Sequence, residues 1–257
     1  MSNVHPQAKP FFINGSSTQA LLFLHGFTAS PSEVRPVAEK LNKINNCSIS
    51  GILLPGHGTT PEQLNVVRWP EWYNAVQDEL QSLLTRYQQV FVGGLSMGGL
   101  LSLHAAVNID GLAGVVSINA PIYYHYAIIP MLSDLAGLMT PYFHKKGLKE
   151  IMKLENQGRF AYRVMPLKAF HSLNLLRRIV MQEVQELKIP ALIIQSLQDE
   201  SVHPRSADFL YEKTRGEGTQ LMMLQQSRHV VTIGAQAELI AREIANFMEA
   251  RGGRSRN

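Results

Sequence analysis

Cysteine is almost missing from this chain. Cys47 is the one thiol in 257 residues, so no intrachain disulfide can form, and the sequence suits a reducing, cytoplasmic setting. Cys47 lies in Asn45-Asn46-Cys47-Ser48-Ile49, at the entry to an expected strand, and reads as structural. The chain also lacks an apolar run of membrane-spanning length, and its first residues lack a basic-then-apolar leader pattern. We therefore expect no stable membrane insertion. Strong charge of one sign is absent too: the net charge is +4, and part of it sits at Arg251, Arg254 and Arg256. Without a basic stripe interleaved with aromatics, nucleic acid is not an expected partner. No His/Cys/Asp cluster has ligand spacing, so neither a metal nor another cofactor is expected. Internal repeats and low-complexity tracts are absent.

Against these absences stands one dense stretch, Val90-Phe91-Val92-Gly93-Gly94-Leu95-Ser96-Met97-Gly98-Gly99-Leu100. It reads as a buried strand, a tight turn and a helix start, with Gly94-Leu95-Ser96-Met97-Gly98 matching G-x-S-x-G. Small residues around the serine let the turn close without a clash. The turn lifts Ser96 Oγ clear of the sheet and places it at a helix N-terminus, where free N–H groups favour developing negative charge.

The remaining pattern alternates strands and helices. Phe11-Phe12-Ile13 reads as a short strand entering an Asn14-Gly15 hairpin signal. Ala20 to Leu24 is continuously apolar, as suits a strand covered on both faces. A helix is expected from Arg35-Pro36 to about Ile44, and a strand from Ser48 to Leu54. Trp69-Pro70-Glu71 opens another helix, with proline in the first turn. Further strands are expected over Ala113–Asn119, Ile189–Ser196 and Thr219–Leu224, with a helix over Pro204–Thr214. A final helix, Gln236–Glu249, carries Leu239, Ile240, Ile244, Phe247 and Met248 on one stripe. This cadence predicts an α/β fold: a mostly parallel, doubly wound sheet with helices on both faces, in one domain spanning residues 1–257. Residues 122–186 break the cadence. They hold half of the ten methionines, show helix-forming segments without a strand-like run, and read as a helical insertion over the sheet's end. Ile128, Met131, Leu135 and Met165 are its candidate ligand contacts.

A serine hydroxyl needs a base, and the base needs an orienting acid. Among nine histidines, His229 is best placed, in a loop after the last strand. Asp199 follows the strand ending near Ser196 and is the preferred acid; its neighbour Glu200 is the fallback, since adjacent side chains point apart. An oxyanion needs two N–H donors. Met97, after the nucleophile, supplies one; Phe27, in the His25-Gly26-Phe27 loop, supplies the other. His25 and His57 read as structural residues of neighbouring loops.

Leu24-His25-Gly26-Phe27-Thr28, Pro55-Gly56-His57-Gly58, Gly94-Leu95-Ser96-Met97-Gly98-Gly99, Asn119-Ala120-Pro121, the Asp199 turn and Ser227-Arg228-His229-Val230-Val231-Thr232 together resemble the α/β-hydrolases. Within them the chain is similar to small bacterial carboxylesterases and monoacylglycerol lipases. That resemblance implies a Ser96, Asp199, His229 triad with Phe27 and Met97 as oxyanion donors, a small helical cap over an apolar acyl pocket, and an ester with a short- to medium-chain acyl group or a monoacylglycerol as substrate. Two positions depart from the family: Gly234 stands where an acidic residue is usual, and Arg228 where glycine is frequent. Thioester or C–C bond hydrolysis on the same fold, and a non-catalytic small-ligand receptor, are the alternatives, because fold does not fix substrate. The sequence is silent on oligomeric state.

Overall fold

Seven strands form the central sheet of the computed structural model, which describes residues 4–125, 140–145, 148–214 and 218–252. In chain order they are β1 (Phe11–Ile13), β2 (Gln19–Leu24), β3 (Ser48–Gly51), β4 (Gln89–Leu95), β5 (Leu112–Ile118), β8 (Ala191–Ser196) and β9 (Gln220–Leu224). Their spatial order is β1-β3-β2-β4-β5-β8-β9. Only β1 is antiparallel to its neighbour; β2, β3, β4, β5, β8 and β9 run parallel.

Alternation along β2 explains its unbroken apolar run. Leu22 and Leu24 enter one core, while Leu21 and Phe23 enter the other, on the opposite face. On the first face, Trp72, Val76, Leu80 and Leu83 of α3 (Trp69–Arg86) pack beside Leu100, Leu101 and Leu103 of α4 (Met97–Asn108). On the second, Val37, Ala38 and Leu41 of α1 (Arg35–Asn45) meet Ile240, Ala241 and Ile244 of α8 (Ala237–Gly252). The inner strands thus lose both faces to helices, the arrangement that demands continuous hydrophobicity, while the edge strands β1 and β9 stay partly exposed. A short helix α2 (Pro61–Val66) precedes α3, and α7 (Arg205–Lys213) joins β8 to β9.

Four local expectations change. The Asn14-Gly15 pair does not close a hairpin, for β1 pairs with β3 instead of β2. Gly15 is needed for close approach: a Cβ there would lie 1.9 Å from the Asn46 carbonyl oxygen. The third strand ends at Gly51, short of Leu54. Leu239 is 39% exposed and lies off the buried stripe of α8. The insertion contains strand: β6 (Tyr142–His144), before α5 (Leu148–Asn156), pairs antiparallel with β7 (Val164–Pro166), which lies between α5 and α6 (Leu167–Glu183). Three-residue strands are too short for their alternation to stand out from a Met-rich background. None of the helices among the described residues is long and apolar enough to cross a membrane.

Candidate active site

The site assembles at the C-terminal ends of the parallel strands, where α/β sheets place their reactive loops. β4 runs into Ser96, which precedes α4 with φ 57° and ψ −116°. A serine rarely adopts this left-handed backbone, and its neighbours hold it there. Ser96 N–H donates to the Ile118 carbonyl at 2.8 Å. The flanking glycines are sterically required: a Cβ on Gly94 would lie 2.5 Å from the Gly98 carbonyl carbon, and one on Gly98 would lie 2.4 Å from the Leu24 carbonyl oxygen. Met97 is the first residue of α4, and its N–H is among those a helix leaves without an internal acceptor.

His229 and Asp199 come together from loops after β9 and β8. The imidazole Nδ1 lies 2.7 Å from Asp199 Oδ2, while Asp199 Oδ1 accepts the N–H groups of Ser201 and Val202, each at 2.8 Å. Asp199 is 2% exposed. Burial alone would raise its carboxyl, but the His229 charge and hydrogen bond, with the two backbone donors, hold it below the ordinary range. Burial alone would lower His229; the Asp199 charge and hydrogen bond, with smaller help from Glu33 and Glu200, raise it above an ordinary imidazole. Glu200 reaches the His229 backbone N–H at 3.2 Å, not the ring, and its Oε2 lies 3.5 Å from Arg228 Nε. Asp199 is therefore the carboxylate that meets the imidazole.

Asn119 links the two halves of the site, a role its sequence position did not reveal. Buried with φ 46°, it immediately follows the residue that accepts from Ser96. Its side chain accepts from Ser196 N–H at 2.8 Å and donates to the His229 carbonyl at 2.8 Å. The Asn119 side chain thus ties the strand preceding Asp199 to the histidine loop, while the carbonyl of the residue before it holds the Ser96 turn.

Phe27 lies in the loop after β2, its ring against Trp72 and Phe170 at 5.9 and 6.1 Å between centroids. Its N–H has no hydrogen-bond partner among the described residues. The preceding His25 is buried and fully satisfied: Nδ1–H donates to the Gly26 carbonyl at 2.9 Å and Nε2 accepts from Leu54 N–H at 3.2 Å. Burial lowers it to about 4, so it stays neutral and structural at physiological pH. His57 Nδ1–H donates to the Pro55 carbonyl at 3.1 Å, again bracing a loop. Cys47 is buried, and burial pushes its thiol up to about 12, far from a nucleophilic thiolate.

Of the four apolar contacts expected in the insertion, Met165 is half-buried on β7 and packs against the larger core. Ile128, Met131 and Leu135 lie outside the described residues. Among the described residues no group of three or more His, Cys, Asp or Glu could hold a metal ion. The arrangement can supply a hydroxyl at a helix N-terminus, a carboxylate-oriented imidazole and unpaired backbone donors.

A family described as serine aminopeptidase, S33, matches residues 15–234. A thermostable monoacylglycerol lipase of Bacillus sp. (strain H-257) is 28% identical over 246 residues, covering 96% of each chain. A carboxylesterase of Bacillus subtilis (strain 168) is 26% identical over 242 residues, covering 94% of this chain and 96% of its own. Among solved structures, one from work on LipS and LipT, two metagenome-derived lipolytic enzymes, has a TM-score of 0.84 at 30% identity and covers 96% of this chain and 100% of that one. The monoacylglycerol lipase of Paleococcus ferrophilus, 16% identical with a TM-score of 0.79 over 94% of this chain and 98% of its own, shares the fold.

Proposed function

Because the chain belongs to the serine aminopeptidase (S33) family, and is an α/β-hydrolase of the serine-hydrolase type, we propose that it hydrolyses carboxylic esters with short- to medium-chain acyl groups or monoacylglycerols. Ser96 is the nucleophile, His229 the base and Asp199 the orienting acid; Phe27 and Met97 supply the oxyanion donors. Residues 122–186 form a cap over the acyl site, to which Met165, with Ile128, Met131 and Leu135, contributes. The single observation that carries the reading is the 2.7 Å hydrogen bond between His229 Nδ1 and Asp199 Oδ2, held through Asn119 to the strand end that also fixes Ser96.

The chemistry follows from that geometry. Asp199 accepts a hydrogen bond from Nδ1–H and fixes that tautomer, so the Nε2 lone pair is free to take the proton of Ser96 Oγ as it attacks the ester carbonyl. The Phe27 and Met97 N–H groups stabilise the resulting oxyanion. Collapse breaks the bond to the alcohol, which leaves with the proton from His229. Water then attacks the acyl-enzyme with the same base, releasing the acid and regenerating Ser96.

The family's description points to peptide bonds, whereas relatives aligned over nearly their full length are described as acting on lipids and esters. An aminopeptidase needs an anionic group for the substrate ammonium. Of the two buried carboxylates near Ser96, Asp199 is engaged by His229 and Glu33, across Gly26, is already neutralised by Arg159, which supports the ester reading. Fluorophosphonate labelling of Ser96, a loss on the order of 10⁶-fold in S96A, and turnover across a series of p-nitrophenyl and glyceryl esters test it. An S96A variant that keeps most of its p-nitrophenyl butyrate activity would sink the reading, and faster turnover of aminoacyl anilides or acyl thioesters would redirect the substrate class.

A further inference from the structure

Glu33 is a second buried carboxylate that the reaction above leaves unused. It is 2% exposed and ends a short 3₁₀ turn after the Phe27 loop. One oxygen, Oε2, accepts the Gly26 N–H at 2.8 Å. The other, Oε1, accepts Arg159 Nε and Nη2 at 2.8 and 2.6 Å, from the insertion. Its main-chain carbonyl accepts the Thr232 hydroxyl at 2.6 Å, three residues beyond His229. A Cβ built on Gly26 would lie 2.9 Å from Glu33 Oε2 and 3.5 Å from Ser96 Cβ, so the carboxylate and the nucleophile flank the same glycine. With the Gly26 carbonyl held by His25, both polar groups of this residue are engaged, and the next N–H, that of Phe27, is left to face a ligand.

Taking two charges out of water is costly, and a buried ion pair is weak evidence for stability. The contacts made by this pair offer a functional reason for it. We propose that Glu33 is a positioning residue: clamped by Arg159 from the insertion, it holds Gly26 so that the Phe27 N–H is aimed at the developing oxyanion, and it couples the insertion to the histidine loop. The insertion grips the same loop at four more points, one of them the Ser30 hydroxyl donating to the Phe160 carbonyl at 3.2 Å. Tyr162 N–H donates to the Thr28 carbonyl at 2.8 Å, Phe160 N–H donates to Ser32 Oγ at 2.9 Å, and Lys145 Nζ donates to Thr28 Oγ1.

Electrostatics gives this role its own signature. Asp199, Glu33 and Glu200 face His229 with negative charge, and exposed Arg228 sits beside Glu200. Arg159, neutral His25 and Lys145 surround Glu33, the lysine lowered by burial to about 7. Removing the Glu33 charge while Arg159 remains therefore makes the His229 imidazolium easier to deprotonate.

The proposal rests on Ser96 as nucleophile and Phe27 as oxyanion donor. It is tested with E33Q and with E33A/R159M, which avoids a lone buried charge. Misplacement of one donor predicts a kcat about 10- to 100-fold lower with KM little changed. The inhibition constant of a trifluoromethyl ketone, which forms a tetrahedral adduct, should rise in proportion. The acid limb of kcat/KM should move to lower pH, further in E33Q than in the double variant; a purely structural role would lower Tm and leave the kcat-to-KM split and the inhibition constant alone. If either folded variant keeps the wild-type kcat and inhibitor affinity, the proposal is overturned. If the wild-type protein is not labelled by a fluorophosphonate, the nucleophile assignment fails first, which separates the two failures.

Discussion

Replacing Asp199 by asparagine changes one atom and should disable the base while leaving the fold intact. Asp199 Oδ1 accepts two backbone N–H groups, and Oδ2 accepts the imidazole Nδ1–H. An asparagine that keeps its oxygen on Ser201 and Val202 must present Nδ2–H₂ to the imidazole. Nδ1 then becomes the acceptor, the ring proton moves to Nε2, and no lone pair remains to take the serine proton. The flipped amide restores the working tautomer but points its NH₂ at two N–H donors. Each buried donor left unpaired costs about 1–3 kcal/mol, so the flip costs about 2–6 kcal/mol. At 1.36 kcal/mol per decade, the active arrangement survives in about 3 × 10⁻² to 4 × 10⁻⁵ of molecules. D199N should therefore lose about 30- to 3 × 10⁴-fold in kcat on p-nitrophenyl butyrate, with KM near wild type and the unfolding transition still cooperative. The ¹⁵N spectrum of His229 should show the proton on Nε2. A D199N enzyme within tenfold of the wild-type rate would refute the orienting role, and one with the proton on Nδ1 would refute the argument from the two backbone donors.

Two other measurements follow from the same geometry. Gly98→Ala drives a Cβ to 2.4 Å from the Leu24 carbonyl oxygen and 2.9 Å from that of His25. Both are backbone atoms that no rotamer change can move, so urea denaturation should show a loss near the top of the overpacking range, about 3 kcal/mol; an unchanged midpoint would contradict the packing of α4 on β2. The acid limb of kcat/KM should have its midpoint above 6.5, because His229 must be neutral to act and Asp199 raises it above that ordinary value. The linked stability has the same origin. The His229 contribution is fully present below about pH 6.5 and fades as pH rises through the raised folded value. That of Asp199 is present above 3.8 and is lost as pH falls through its depressed folded value. A limb centred below 6.5 would contradict the placement of the pair.

The elements that could be read from the chain are those whose physics is local. The run Ala20–Leu24 needs two apolar covers whatever the topology, and the turn around Ser96 needs glycine on both sides because backbone passes within 3 Å of each. Where the reading slipped, a distant partner had won. Asn14-Gly15 carries a hairpin signal, yet the turn of Asn46 presses against Gly15 and β1 pairs with β3. Leu239 is adjacent in sequence to buried Ile240, but the turn of about 100° per residue sends it away from the face that buries Ile240, Ile244 and Met248, and it is exposed.

The residues left unread act through contacts from far along the chain. Glu33 and Arg159 are 126 positions apart, and in sequence each looks like an ordinary surface charge; only their mutual burial makes them a pair. Asn119 was visible as a motif letter, but its hydrogen bond to the His229 carbonyl spans 110 positions.

By itself, then, the order of residues determined an alternating α/β fold and the chemical types at three loop ends, because hydrophobic period, glycine sterics and the reactivity of serine, histidine and aspartate are properties of short segments. Tertiary structure alone decided that Asp199 and not Glu200 meets the imidazole, that Asn119 ties the histidine loop to the end of the strand preceding Asp199, and that an arginine from the insertion reaches Glu33 beside the Phe27 loop. Those choices depend on direction and distance between segments, quantities that exist only once the sheet has brought its strand ends to one edge.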